Sequence, residues 1–249
     1  MYFNYKIWYI INSLYLRIIV NYKSITMKKL IFLSVLCSTF LLNGQNIRVY
    51  NLNVAPKDAG SVAELFREYH SKGKRKSGNV ILQRVQFQDN VTHRVLLTGD
   101  PNNWGSAIER PESDWRAYLR GTRQFRRPTK GSYTASSAYW KAGNRDKYNF
   151  GQQWLIKVKD PVKYASAWIK FAIAIEPMIG ERMMGLGSIS MGDLQGATHY
   201  TVFYGENMND LELMLAKIRK SKAYQEFAKN RGENEIIKSF AVRDLLIYD

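Results

Sequence analysis

His93 and His199 are two of only three histidines in the chain, and histidine is the side chain whose unperturbed charge changes near neutral pH. Each follows a threonine and opens one of two related stretches, THRVLLTGDPNN at 92–103 and THYTVFYGENMN at 198–209. A neutral imidazole serves as base, hydrogen-bond partner or metal ligand. The candidate catalytic group is therefore His93 or His199 acting as base beside Tyr204 or Arg84. A threonine–histidine pair at a strand start also satisfies local backbone groups, which is a structural reason for it to occur twice. No two histidines lie four apart, so no local metal motif is present and no metal site is expected. His70, at the end of an expected helix, suits a helix C-terminus and is assigned no chemistry.

A second set of residues suits ligand binding. Asn51 and Asn53 share one face of a strand, and Gln83 shares a face with Ile81, Val85 and Phe87. Buried amides need partners, supplied by a polar ligand or by neighbouring side chains and water. Gly185 and Gly187 lie on one face of MMGLGSISM, where missing side chains leave a hollow or admit a bulge or a large facing residue. Aromatic residues gather after the third strand, with Trp104, and around Tyr139, Trp140, Tyr148 and Phe150, where they stack on flat ligands or cover the ends of the fold. The chain contains no nucleophile elbow and no phosphate-cradling glycine loop.

The paired stretches belong to a longer internal repeat. Val62, Leu65, Phe66 and Tyr69 have the spacing of Ala165, Trp168, Ile169 and Ala172, one apolar stripe on a helix in each half. Ala117-Tyr118 returns as Ala223-Tyr224, and the run from Ser132 to Ala135 parallels that from Ser239 to Val242. The first half reads as strands near 47–54, 79–88, 92–99 and 132–140, with a helix near 58–72 and a helical region near 106–127. The second half reads as strands near 152–159, 183–191, 197–205 and 236–248, with helices near 161–176 and 209–230. Each half is βαββαβ.

A four-stranded sheet with both helices on one face leaves the other face bare and in need of cover. Here the second copy is on the same chain. The predicted fold class is α+β: two tandem βαββαβ ferredoxin-like repeats, 46–141 and 151–249, packed sheet to sheet as a pseudo-dimeric α/β barrel. In this order of elements, and in the paired Thr-His and Ala-Tyr motifs, the chain resembles the dimeric α/β-barrel superfamily. The resemblance implies monooxygenase, haem-degrading, peroxidase or lyase chemistry, or none, because one fold hosts many activities. The Asn, Trp and His constellation of its haem-degrading members is not matched in spacing, so that activity is not carried over and the cofactor stays unknown.

Residues 1–26 read as a mis-assigned start or an extension. From Met27, Lys28 and Lys29 a basic stretch leads into the apolar run Leu30–Leu42 and a polar end at Asn43, Gly44 and Gln45, the build of a signal peptide over 27–45. The run is shorter than the roughly 20 apolar residues of a spanning helix, so the expectation is a secreted or periplasmic protein with no transmembrane anchor after cleavage. Cys37, the single cysteine, lies in that run; thiol chemistry and disulfides are not expected beyond it, and a lipid-modified Cys37 is the alternative. The formal charge of +16 includes five leader cations and no leader acids, leaving +11. The basic residues cluster at 72–76, 116–130 and 217–222, a solvated face or an attraction to an anionic polymer or envelope surface. No nucleic-acid partner is expected.

The function expected first is an exported, non-catalytic small-ligand-binding barrel. The alternatives are a cofactor-independent monooxygenase-like or lyase-like enzyme using His93 or His199, and a structural or surface-attachment protein binding anionic polymers.

Overall fold

The computed structural model describes residues 45–192 and 194–249. The readings of 1–26, of the signal peptide and of Cys37 fall outside them. Among the described residues no helix is long and apolar enough to cross a membrane.

The first repeat runs β1 (Asn46–Val54), α1 (Ala59–His70), β2 (Val80–Gln86), β3 (His93–Gly99), α2 (Glu112–Arg123), a two-residue β4 (Arg126–Arg127) and β5 (Tyr133–Lys141). The second runs β6 (Phe150–Val158), α3 (Pro161–Ile179), β7 (Met184–Met191), β8 (His199–Gly205), α4 (Met208–Arg219), α5 (Lys222–Asn230) and β9 (Asn234–Tyr248). Within each repeat the antiparallel order is fourth, first, third, second strand: β5-β1-β3-β2 and β9-β6-β8-β7. The second strand of each repeat then pairs with the last strand of the other, β2 with β9 and β7 with β5. Backbone hydrogen bonds thus lead from β1 through seven further strands and back to β1. The two inner faces cover each other, and the edges are paired rather than exposed.

Two helical expectations change in detail. The region 106–127 is helical only from Glu112 to Arg123: Pro111 restricts the residue before it at one end, and Arg126–Arg127 form β4 at the other. The long helix expected at 209–230 is broken after Arg219, where the Ser221 hydroxyl accepts from the Tyr224 amide at 3.2 Å and starts a new helix.

The outer layers differ in strength. In the second repeat, α3 lays Tyr164, Trp168, Phe171, Ala172, Ile175 and Ile179 on the sheet, joined by Leu211, Leu215 and Phe227 from α4 and α5 in one cluster. In the first, α1 contributes Val62 and Phe66 to two small separate clusters. Val62 and Phe66 are buried on α1, as Tyr164 and Trp168 are at the same spacing on α3, whereas Ala165 and Ile169, which the sequence pattern pairs with Val62 and Phe66, are only half-buried. Between the sheets lies a second large cluster, including Val49, Val85, Tyr133, Tyr200, Val202, Tyr204, Phe240 and Val242.

Candidate functional site

Side-chain alternation along β3 and β8 decides where the sequence-selected residues point. Leu96 and Val202 belong to the inner cluster, whereas Val95 and Phe203 pack under the helices. His93 and His199 share the outer parity. Both are buried, and the His199 ring lies 6.1 Å from the Tyr164 ring of α3. Their Nδ1 atoms meet the hydroxyls of Thr92 and Thr198 at 3.0 and 2.8 Å. Those hydroxyls accept from the amides of Val54 and Val158 at 2.9 and 3.0 Å, and the threonine amides donate to Leu52 and Ile156. The repeated pair thus clamps β3 to β1 and β8 to β6. Burial lowers the pKa of both imidazoles, with Arg84 adding to the effect at His93.

Of the expected groupings, a histidine beside Arg84 is formed, on the outer face, whereas a histidine beside Tyr204 is not. Arg84 is exposed on the outer face, in register with His93, while Tyr204 points inward. Asn51 and Asn53 point inward but at the opposite end from Tyr204. Asn51 Nδ2 donates to the carbonyls of Lys130 and Gly131 at 3.1 and 2.9 Å, and Asn53 Nδ2 to that of Pro128 at 3.3 Å. Both pin the loop before β5. Gly185 and Gly187 leave no hollow, because rings fill the space. A Cβ would come within 2.5 Å of the Trp140 ring at Gly185 and 2.4 Å of the Tyr200 ring at Gly187.

Gln83 does join a polar interior site. Arg94, only 3 % exposed, donates from Nε to Gln83 Oε1 and from Nη1 to Gln153 Oε1 at 2.8 Å. Gln153 Nε2 donates to the Tyr133 hydroxyl at 2.7 Å. Gln83 Nε2 donates to Asp244 Oδ1 and reaches the Tyr204 hydroxyl at 3.3 Å. Arg145, from the linker between the repeats, places Nη1 3.3 Å from Asp244 Oδ2. Arg94, Arg145, Gln153, Tyr133, Tyr200 and Tyr204 surround a chamber of about 130 Å³, roofed by Trp140.

Of the buried polar atoms here, Arg145 Nη1 and Asp244 Oδ2 face each other as an ion pair, and the Tyr200 hydroxyl is left without a hydrogen-bond partner among the described residues. Buried polar groups are nearly always satisfied, so the unpartnered Tyr200 hydroxyl on the chamber wall marks a place for a polar guest. Two guanidinium groups face one carboxylate here, so the guest that balances the charge is an anion. Burial raises the Asp244 carboxyl above its ordinary range, opposed by Arg145, and pushes the Tyr204 phenol up to about 12.

A raised folded-state pKa means that the carboxyl's contribution to stability is complete below its unfolded pKa and is lost as pH rises through the folded one. Asp244→Asn removes that loss. The variant is expected to match the wild-type Tm near about pH 3 and to exceed it near about pH 7. A thermal-melt series across that range checks this, and a lower Tm for the variant at neutral pH refutes it.

Gln83, Arg94 and Gln153 have no amide or charged twin in the other repeat. Arg94 and Gln83 are in register in the first repeat, where Tyr200 and Gly187 are in register in the second. Gln153 lies opposite Phe240, where the first repeat has Val49 opposite Tyr133. The two inner faces have diverged into a polar half-site and an aromatic one. Arg94, Gln153, Tyr133, Tyr200, Arg145 and Asp244 were not singled out from the sequence. The signal that marked Gln83, a polar residue at inward parity among apolar neighbours, applies equally to Arg94 and Gln153.

No protein-family model matches the sequence, and no curated protein matches it. Solved structures do. A candidate monooxygenase from Lactobacillus acidophilus superposes with a TM-score of 0.56 at 8% identity, covering 83% of this chain and 96% of that one. An anthrone oxidase-like protein gives 0.51 at 10% identity, covering 82% and 92%. A candidate monooxygenase from Fusobacterium nucleatum gives 0.50 at 10%, covering 84% and 95%. With the strand order of both repeats and their reciprocal edge pairing, these likenesses establish that the chain has the fold of the dimeric α/β-barrel superfamily, both ferredoxin-like units being carried on one polypeptide.

Proposed function

We propose that the chamber binds a small single-ring phenol or enol, holds it as its anion and deprotonates it. Proton abstraction of this kind serves monooxygenase-like and lyase-like chemistry without a cofactor, and the names of the structural neighbours, monooxygenase and anthrone oxidase-like, fit that class. The observation that carries the proposal is an unpartnered buried hydroxyl, that of Tyr200, in a chamber lined by two guanidinium groups.

Size agrees with a single ring. An eight-stranded sheet ring encloses room for packed side chains or one small ligand, and an engineered cavity of roughly 150 Å³ accepts benzene; the chamber here is about 130 Å³. The roles follow from position. The Arg94 and Arg145 guanidinium groups stabilise the developing oxyanion. The Tyr200 hydroxyl, with no protein partner, donates to it. Asp244, ion-paired at 3.3 Å with the chamber residue Arg145, takes the proton, its raised pKa suiting a general base. In this reading Asp244 has the role that the sequence suggested for a histidine.

A chromophoric probe tests this directly. 4-Nitrophenol, titrated at several pH values and followed by phenolate absorbance, is expected to bind saturably with its own pKa lowered by about one unit, a preference for the anion of about 1.4 kcal/mol. No saturable binding, or binding with a raised pKa, overturns the proposal.

A further inference from the structure

A larger groove lies at the other end of the barrel, where β1 finishes at Asn53 and the turns before β3, β5 and β8 come together. It encloses about 730 Å³, within the range of organic-ligand pockets. We propose that this groove is a binding site for an acidic oligosaccharide, two to three sugar units bearing carboxylates.

Charge is the first support. Arg127, Lys130 and Lys238 line the groove against one carboxylate, Asp89. None of the four takes part in an ion pair among the described residues. Side-chain chemistry is the second. Gln88 and Asn90 also line the groove, and neither side chain makes a hydrogen bond among the described residues. An amide offers donors and acceptors together, the complement of a sugar hydroxyl, which does both. A phosphate offers acceptors and is held by backbone amides or helix N-termini; the groove presents side-chain amides instead. Leu155, buried at the wall, supplies an apolar surface for ring C–H groups.

The walls are also built with care. Asn90 is held at φ 56 and Gln195 at φ 58, in the left-handed region that non-glycine residues seldom enter. The facing loop is fixed from below by Asn51 and Asn53, and the Thr129 hydroxyl donates to the Asn90 carbonyl at 2.9 Å, tying two walls together. The cations are thus presented on a braced frame rather than on free loops, which reduces the ordering cost of binding.

The experiment uses trigalacturonate as probe, with maltotriose and tripolyphosphate as comparisons, by calorimetric titration of the protein at low and at physiological salt. Trigalacturonate is expected to bind with one site, to weaken as salt rises, and to bind at least about tenfold more tightly than maltotriose, a difference of about 1.4 kcal/mol. The double variant Lys130→Gln, Lys238→Gln is expected to lose about tenfold in trigalacturonate affinity while its 4-nitrophenol titration is unchanged, which separates this groove from the chamber. Equal binding of maltotriose, tighter binding of tripolyphosphate, no binding of trigalacturonate, or an unaffected double variant each overturns the proposal.

Discussion

Arg94→Gln is expected to weaken 4-nitrophenolate binding by roughly 10- to 150-fold, the equivalent of one charge-assisted hydrogen bond of about 1.5–3 kcal/mol. Arg94 lies within the inner cavity with its Nε and Nη1 donors committed to Gln83 and Gln153. Those partners are neutral amides, so no carboxylate bonded to it offsets the cost of taking the cation out of water. That cost is carried by the empty fold and repaid when an anion enters. Removing the charge is therefore expected to leave the Tm unchanged or higher while affinity falls, the trade expected of a binding residue rather than a packing one. Arg94→Lys restores charge without the planar fork and is expected to recover only part of the affinity. Parallel melts and absorbance titrations of the three proteins decide the matter; a lowered Tm with unchanged affinity would make Arg94 structural.

Trp168→Ala has the largest expected effect on stability, a loss of roughly 3–5 kcal/mol. Trp168 is 1 % exposed at the centre of the α3 face. Its ring meets Tyr139 at 5.6 Å, Phe203 at 6.2 Å and Phe171 at 6.5 Å, joining β5 of one repeat to the sheet and helices of the other. Truncation removes the buried ring and leaves a cavity that rigid strands on one side cannot close. In a domain of this size the fall in Tm is roughly 6–20 °C. The equivalent cut in the first repeat, at Phe66, falls in a small cluster with Val80 and Leu82. Comparing the two melts reads out how unequally the outer layers support the barrel.

The element order was legible because its signals are local. Apolar stripes at helical spacing on Val62–Phe66 and on Trp168–Ala172, together with the doubled Thr-His motif, give βαββαβ twice, and the strands form within a residue or two of where the pattern puts them. The site was not legible in the same way. His93 and His199 attract attention as the repeated titratable pair, yet they recur because Thr92 and Thr198 clamp strands and the rings fill space under the helices. A motif preserved in both repeats serves the symmetric framework. An asymmetric ligand instead selects residues that differ between repeats, as Arg94 differs from Tyr200 and Gln83 from Gly187.

By itself the sequence determined that two like units share one chain and that each must hide a bare sheet face, since periodicity and repetition are properties of neighbouring residues. Only the tertiary structure decided which face of β3 and β8 looks inward, and so that Arg94 rather than His93 enters the cavity. A shift of one residue in strand parity exchanges the two sides of a sheet. That choice is made by packing between strands more than a hundred residues apart, Gln83 against Tyr204 and Asp244.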